Sequence, residues 1–266
     1  MSQELKSLNK RASGLPGEEE TNKTDEKQET GKLHKVKRAI FLASGFGSRL
    51  LPLTREIPKP MVRVSDKRII ETLLDAVVQA GIEEIYIVRG YKKEAFDELL
   101  KKYPNIKFLE NPYYATSNNI SSVYVARDFI SSAYVIEADL FLLNSGLIRP
   151  FESDSNYLGI PVKRTEDWYI KTDTAGFINE VGISGEECFQ LVGISFWTES
   201  DGKRLKSIVE KEFEKDNFSQ LYWDQLALQL YKDSFKLKLR PCDSSDVYEI
   251  DSIADLNRLV SKIQKS

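Results

Sequence analysis

A glycine-rich stretch at residues 41–61, FLASGFGSRLLPLTREIPKPM, carries residue types that bind phosphate. Gly45 and Gly47 let the backbone approach an anion closely and point N–H groups at it. The Arg49 guanidinium can bind two phosphate oxygens at once. Lys59 stands between two prolines, whose restricted backbone fixes where its ammonium points. Together these residues predict a loop that holds a triphosphate.

This loop differs from two common phosphate-binding motifs. The chain has no G-x-x-x-x-G-K-[ST], and Leu50 occupies the last position of G-x-G-x-x-G. A G-x-G pair alone is more often a mobile turn with solvated neighbours. The preceding apolar strand, Arg49, the Pro-Lys-Pro element and the following helix together favour a binding loop.

Acidic residues elsewhere in the chain provide ligands for a hard cation. Asp139 closes the apolar run YVIEAD, so we expect its carboxylate at the carboxyl end of a strand, beside the phosphate loop. Asp251 stands just before the last helical segment, where it fits a metal ligand and a helix N-cap about equally well. Glu137 and Glu249 alternate with these two aspartates and are candidates for a supporting role.

Composition excludes several classes of protein. Of 266 residues, 38 are Lys or Arg and 41 are Asp or Glu, which gives no basic surface for nucleic acid. Two cysteines, Cys188 and Cys242, are too few for a metal knuckle or a disulfide framework. The one histidine, His34, precedes the first predicted strand and is badly placed for a Ser-His-Asp mechanism. No apolar run suits a membrane span or a signal peptide, so we expect a cytoplasmic protein.

Strands alternate with helices from residue 36 onward. The runs RAIFLA, EEIYIVRG, IKFLEN and SAYVIEADLFL predict four strands, and RIIETLLDAVVQAG, KKEAFDELLKKY and NISSVYVARDFI predict the helices between them. This order is typical of a Rossmann-like α/β fold with a mainly parallel mixed sheet flanked by helices.

The sequence pattern changes after about residue 150. Four short strand-like runs predict a small antiparallel subregion on the substrate side, followed by helices near 200–214 and 219–231, the strand FKLKLRP and a last helix. Residues 17–31 contain no apolar side chain. We therefore predict a disordered or poorly ordered extension at 1–35 and one domain at 36–266.

Several motifs together resemble one enzyme family. The stretch AIFLASGFGSRLLPLTREIPKPMV resembles the opening motif of nucleotidyltransferases that activate sugar phosphates and related alcohol phosphates, with Ser44 where Ala or Gly is commoner. IVRGY, NPYYATSNNISSVY, IEADLFL, EDWYI, VGISFW, LYWDQ and YEIDS follow in the order and spacing of bacterial CTP:phosphocholine cytidylyltransferases. This resemblance covers about residues 36–262.

The resemblance implies a reaction and its machinery. CTP and phosphocholine would give CDP-choline and pyrophosphate by Mg²⁺-assisted in-line attack of the acceptor phosphate on the α-phosphorus. Arg49, Lys59 and Asp139 would be catalytic, and Asp139 and Asp251 would hold the metal. The attacking phosphate is already anionic and needs no protein base. We expect small-molecule partners only, no nucleic acid, no membrane insertion, and a monomer or homodimer.

The same resemblance, with the local chemistry, assigns binding residues. Asn118, Asn119 or Ser122 can alternatively cap a helix, and each aromatic is alternatively a core residue. The predicted nucleotide-binding residues are Leu42, Ala43, Ser44, Gly45, Gly47, Ser48, Arg49, Lys59, Gly90, Asn118, Asn119, Ser122 and Ala138. The predicted acceptor-binding residues are Trp168, Tyr222, Asp224 and Tyr248. Trp223 is adjacent to Tyr222, so we expect only one of the two to line the pocket.

Two other interpretations remain open. Within the same mechanism, the acceptor can be phosphoethanolamine, 2-aminoethylphosphonate or a sugar 1-phosphate. The aromatic and carboxylate set speaks against a sugar, because a sugar needs more hydrogen-bonding partners. From a different class, the chain can be a non-catalytic nucleotide-binding regulatory module.

Overall fold

A computed structural model describes residues 33–215 and 218–264. Most of the predicted 1–35 extension therefore lies outside the described residues. His34 and Lys35 form a short strand paired with Phe151 and Glu152, so the prediction of a poorly ordered segment is wrong for its last residues. The compact unit begins at Leu33 rather than at residue 36.

The secondary structure follows the predicted alternation in its first half. The strands are β1 (His34–Lys35), β2 (Arg38–Ala43), β3 (Arg63–Val64), β4 (Lys67–Arg68), β5 (Glu84–Arg89), β6 (Ile106–Glu110), β7 (Ala133–Glu137), β8 (Leu140–Leu142), β9 (Phe151–Glu152), β10 (Asn156–Thr172), β11 (Ile178–Trp197), β12 (Lys238–Pro241) and β13 (Val247–Glu249). The helices are α1 (Ile69–Gln79), α2 (Ile120–Ala126), α3 (Glu199–Phe213), α4 (Trp223–Gln225) and α5 (Ile253–Ile263).

A seven-stranded mixed sheet forms the centre of the unit, in the order β12-β10-β11-β7-β2-β5-β6. Strands β7, β2, β5 and β6 run parallel to one another, whereas β11 is antiparallel to both β7 and β10. Strand β2 is apolar on both faces because each face is covered: Phe41 packs into one core cluster and Ile40 into the other. The Rossmann-like fold class is confirmed.

The observed elements differ from the predicted ones in several places. The four short runs after residue 150 are two long strands, β10 and β11, which form one hairpin. The second late helix is broken into a 3₁₀ turn at Phe218–Gln220, the short α4 and a π-helical turn at Leu226–Leu230. The segment Lys93–Lys101 is helical but of the 3₁₀ type.

The predicted strand SAYVIEADLFL is split at Asp139. Its first half, β7, stays in the central sheet, whereas β8 leaves it to pair antiparallel with β13. The Ile250 N–H donates to the Asp139 carbonyl at 3.3 Å. The split therefore brings Asp139 beside the segment that carries Glu249 and Asp251.

Candidate active site

A cavity of about 650 Å³ opens at the carboxyl ends of β2 and β7. The phosphate loop after β2 forms one end, and the start of α2, the β10–β11 hairpin, the turn before α4 and the end of β13 complete its wall. This is the position at which open α/β sheets bind ligands. The volume is of the size typical of sites for small molecules.

The phosphate loop is held in shape by Gly47 and its neighbours. Gly47 has φ of 62°, and its carbonyl accepts a hydrogen bond from the Thr54 hydroxyl at 2.9 Å. A Cβ on Gly47 would lie 2.8 Å from the Cβ of Lys59. Glycine at this position thus allows both the left-handed backbone and the close passage of the lysine stem.

Two predicted nucleotide-binding serines form a hydrogen bond with each other. The hydroxyls of Ser44 and Ser122 are 2.7 Å apart, and both are buried. The Asn111 amide donates to Ser44 at 3.1 Å and to Ser121 at 3.0 Å. These bonds join the phosphate loop to α2. Sequence reasoning missed Asn111, although its place directly after β6 is a signal for a site residue.

Lys59 and Arg49 both contact carboxylates at the mouth of the cavity. The ammonium of Lys59 lies 2.9 Å from Asp139 Oδ2 and 2.9 Å from Asp251 Oδ1. The guanidinium of Arg49 binds both oxygens of Asp251, at 2.7 and 2.8 Å. Burial by itself lowers the pKa of Lys59, but the charges and hydrogen bonds of Asp139 and Asp251 raise it overall. Lys59 is therefore a fixed cation, 7% exposed.

Three carboxylates form a cluster able to hold a metal ion. Oxygens of Asp139, Glu249 and Asp251 lie within 4.8 Å of one another. The second oxygen of Asp139 is buried and has no hydrogen-bond partner, so it fits a metal ligand. Burial raises the pKa of Glu249, and the negative charges of Asp139, Asp251 and Asp167 add to this rise. A hard divalent cation suits such an all-oxygen set.

Asp251 is not the cap of the last helix. Ser252 is the N-cap of α5, and its hydroxyl accepts from the Asp255 N–H at 3.2 Å. The Asp255 carboxylate in turn accepts from the Ser252 N–H at 2.8 Å. This reciprocal pair leaves the Asp251 carboxylate for Lys59 and Arg49.

Two further acidic residues, Glu137 and Asp224, also line the cavity and are called the acidic pair below. Burial raises the pKa of Glu137 well above its usual range, and the charges of Asp224, Asp139 and Glu249 reinforce this. Burial likewise raises the pKa of Asp224 to about 7, against the opposing contact with Tyr157. One oxygen of Asp224 is buried without a hydrogen-bond partner. Within residues 33–215 and 218–264, neither carboxylate has a Lys or Arg partner.

The two asparagines of the SNNISS motif bind protein groups. Asn119 Nδ2 donates to Glu137 Oε1 at 3.0 Å, and Asn119 Oδ1 accepts from the Trp223 N–H at 3.0 Å. Asn118 Nδ2 donates to the Gln220 carbonyl at 2.8 Å. No side chain caps the N-terminus of α2, so the alternative of an N-cap by this motif is wrong.

Two of the predicted acceptor-side aromatics line the cavity. Trp168 lies at a register shift in the β10–β11 hairpin, and such an irregularity re-aims a side chain. The backbone N–H of Trp168 donates to Asp167 Oδ1 at 2.7 Å. Tyr222 is half-exposed in the cavity wall, whereas Trp223 is fully buried and stacks on Tyr157. Only one of the adjacent aromatics faces the cavity, in agreement with the prediction.

The structure places three predicted site residues outside the cavity lining. Tyr248 packs against the core cluster under α5 and contacts Lys262, because alternation along β13 sends Glu249 to the cavity side instead. Ala138 is buried, and its N–H donates to the Leu42 carbonyl at 3.3 Å. Gly90 lies under the ring of Tyr114, which itself lines the cavity.

The remaining predicted residues come together in the cavity. Besides the charged groups, its lining contains Leu42, Ala43, Ser44, Gly45, Gly47, Ser48, Asn118, Asn119 and Ser122. Sequence reasoning missed Phe46, Tyr114, Asp167, Leu191 and Gly193 as lining residues. All of these except Leu191 belong to the motifs that carry the family resemblance, so the motifs themselves were a signal.

Comparisons with known proteins identify the family. Residues 38–151 match the nucleotidyl transferase family model. A 2-aminoethylphosphonate cytidylyltransferase of Lancefieldella rimae is 35% identical over 221 residues, which is 82% of this chain and 89% of the relative. The chain belongs to the nucleotidyltransferase family. This nucleotidyltransferase is also 31% identical to a choline-phosphate cytidylyltransferase of Streptococcus pneumoniae, over 84% of this chain and 96% of the relative.

A solved structure agrees with these relatives. The CTP:phosphocholine cytidylyltransferase from Streptococcus pneumoniae superposes with a TM-score of 0.80 at 30% identity, covering 86% of this chain and 99% of that one. The predicted resemblance to this branch is confirmed, and so is the enzyme class. Among the described residues, no helix is long and apolar enough to cross a membrane.

Proposed function

We propose that this nucleotidyltransferase transfers CMP from CTP to a small phosphate or phosphonate that carries a cationic group, with phosphocholine as the first candidate. One observation carries the proposal. The same cavity is lined by a phosphate loop, a three-carboxylate cluster and the additional acidic pair Glu137 and Asp224, and this pair has no cation among the described residues. A ligand with both an anionic and a cationic end complements that arrangement.

The reaction would proceed without a protein base. An oxygen of the acceptor phosphate or phosphonate, already anionic, attacks the α-phosphorus of CTP in line; the bond to the β-phosphate oxygen breaks, and pyrophosphate leaves. Backbone N–H groups at Gly45 and Gly47 bind the triphosphate. Lys59 and Arg49 stabilise the negative charge that develops at the α-phosphorus.

Mg²⁺ is the proposed metal, held by Asp139 and Asp251, with Glu249 as a third oxygen ligand. The unpartnered buried oxygen of Asp139 supports this assignment, since a coordinating ion would satisfy it. The ion would supply charge neutralisation on the triphosphate. The predictions of a cytoplasmic protein, of a monomer or homodimer, and of nucleotide contacts by the cavity residues stay predictions.

Two acceptor chemistries fit the cationic end. Trp168 and Tyr222 offer aromatic faces, which hold a trimethylammonium group by cation–π attraction. The unpartnered oxygen of Asp224 favours a second candidate, a primary ammonium such as that of 2-aminoethylphosphonate, because only an N–H can donate to it. A sugar 1-phosphate brings no positive charge to the acidic pair.

The test is a matrix of CTP, UTP, ATP and GTP against phosphocholine, phosphoethanolamine, 2-aminoethylphosphonate and glucose 1-phosphate, with pyrophosphate release as the readout. The proposal predicts the highest turnover for CTP with one of the cationic acceptors. Nucleotide binding without turnover on any acceptor would support the regulatory module instead. Preference for glucose 1-phosphate would refute the cationic acceptor.

A further inference from the structure

Both the nitrogen and the oxygen of the Asn119 amide form hydrogen bonds with protein groups on the proposed acceptor side of the cavity. Its nitrogen donates to Glu137 Oε1 at 3.0 Å, and its oxygen accepts from the backbone N–H of Trp223 at 3.0 Å. Glu137 ends strand β7, whereas Trp223 opens α4 and directly precedes Asp224. One side chain thus links the two segments that carry the acidic pair.

Glu137 is also fixed from the opposite side, by strand β11. A Cβ on Gly193 would lie 2.8 Å from the Cβ, the Cγ and Oε2 of Glu137. The glutamate side chain therefore lies directly across the glycine, with its second oxygen over it. Asn119 and Gly193 together hold the Glu137 carboxylate in one orientation.

Such restraint is needed because the acidic pair is unfavourable by itself. Glu137 and Asp224 both line the cavity without a Lys or Arg partner among the described residues, and when both are ionised their repulsion favours movement of one carboxylate away from the other. A hydrogen bond from a neutral amide stabilises the Glu137 carboxylate without neutralising its charge. The carboxylate then remains available to a cationic ligand, whose positive charge favours the ionised form.

We propose that Asn119 is a positioning residue that sets the selectivity of the enzyme for cationic acceptors, an inference that rests on the proposed function. It keeps Glu137 and Asp224 close enough to share one ammonium group. Its role differs from the nucleotide contact that the family resemblance implies, because both ends of its amide already bind protein groups.

The test measures selectivity between a cationic acceptor and its uncharged isostere. The pairs are phosphocholine with 3,3-dimethylbutyl phosphate, and 2-aminoethylphosphonate with propylphosphonate. In Asn119→Leu, which loses both hydrogen bonds, the ratio of kcat/KM for the cationic over the neutral acceptor should fall by about tenfold or more, while the KM for CTP changes by less than about twofold. Asn119→Asp keeps the acceptor for the Trp223 backbone N–H but replaces the donor to Glu137 with a carboxylate that repels it, so it should show a similar fall.

Control and second variants separate this role from a structural one. Asn105→Leu makes the same change at an exposed asparagine just before β6, at the end of the sheet away from the cavity, and should leave the ratio unchanged. Gly193→Ala displaces Glu137 without touching Asn119, and it should lower the ratio even if Asn119→Leu fails to fold.

Four outcomes would overturn the inference. A raised KM for CTP with an unchanged ratio would make Asn119 a nucleotide contact. An equal loss of kcat/KM for the cationic and the neutral acceptor would make its role purely structural. If the wild-type enzyme used neither cationic acceptor, the proposed function would fail as well. Cation-selective turnover that survives in Asn119→Leu, Asn119→Asp and Gly193→Ala would refute the positioning role alone.

Discussion

The ammonium of Lys59 donates to Asp251 at 2.9 Å, although 192 residues separate the two in the chain. The same ammonium contacts Asp139, so one buried cation neutralises two members of the proposed metal cluster. A divalent ion bound between these carboxylates would compete with the Lys59 ammonium for their negative charge. A displaced ammonium would then be available to the substrate phosphates.

This competition predicts the effect of Lys59→Met on metal binding. Without the ammonium, the three carboxylates repel one another, so the dissociation constant for Mn²⁺ in nucleotide-free protein should fall by about tenfold or more. Turnover should fall at the same time, because a phosphate contact is lost. Isothermal titration calorimetry measures the affinity. Lys206→Met, which breaks an exposed pair with Asp128, is the control. Unchanged or weaker Mn²⁺ binding would contradict the competition.

Gly47→Ala should damage catalysis more than folding. An alanine Cβ would contact Lys59 at 2.8 Å and displace its ammonium, so turnover should fall by about a hundredfold. Gly81→Ala is a matched control, because Gly81 also has positive φ but open space around it. Both variants should lose about 1–2 kcal/mol of stability from backbone strain. Equal turnover in the two variants would count against the steric explanation.

The buried ion pair between Glu152 and Arg240 leads to a prediction about the free energy of unfolding. Glu152 accepts from Arg240 at 2.8 Å, and both side chains are at most 10% exposed. Glu152→Ala leaves a buried guanidinium unpaired and should cost about 3–5 kcal/mol in urea unfolding. The double variant Glu152→Met, Arg240→Met should recover part of this loss, since it leaves no buried charge unpaired, although Tyr134 and Asn156 still lose Glu152 as an acceptor. A single-variant cost below about 1 kcal/mol would show that the pair is not isolated from water.

The Asp75 carboxylate makes stability depend on pH. Burial by itself raises its pKa, but hydrogen bonds from Lys102, Lys67 and Tyr103 lower it overall. A carboxylate whose pKa is lower in the folded than in the unfolded state stabilises the fold at pH values above its unfolded-state pKa. This stabilisation is lost as the pH falls through its folded-state pKa. Asp75→Asn should therefore cost about 1 kcal/mol at pH 7, and the difference from wild type should shrink below about pH 4. Chemical unfolding at several pH values measures this, and a difference independent of pH would contradict it.

The sequence predicted what depends on local pattern and strand ends. The apolar run before Gly45 placed β2 and the phosphate loop, and the end of YVIEAD placed Asp139 at the correct edge of the sheet. Pairing between distant segments was not predictable in this way. The exit of β8 toward β13 and the joining of four short runs into one hairpin depend on partners far away in the chain.

In the candidate site, too, local pattern is predictable and contacts between distant segments are not. Strand alternation would have separated Tyr248 from Glu249, because neighbours in a strand face opposite sides, but the strand β13 itself was not predicted. Asn119 was predicted as a nucleotide contact and lines the cavity, and its partners Glu137 and Trp223 lie 18 and 104 residues away. Only the fold shows that Asn119 joins these two segments of the cavity wall.

The central claim is the transfer of CMP to a cationic acceptor, and product analysis tests it most directly. Wild-type protein, CTP, Mg²⁺ and either phosphocholine or 2-aminoethylphosphonate should give pyrophosphate and the CMP-linked acceptor in equal amounts. Chelation of the metal, or Asp139→Asn in a protein that remains folded, should abolish both products. Pyrophosphate accompanied by free CMP alone, or no product with either acceptor, would contradict the account.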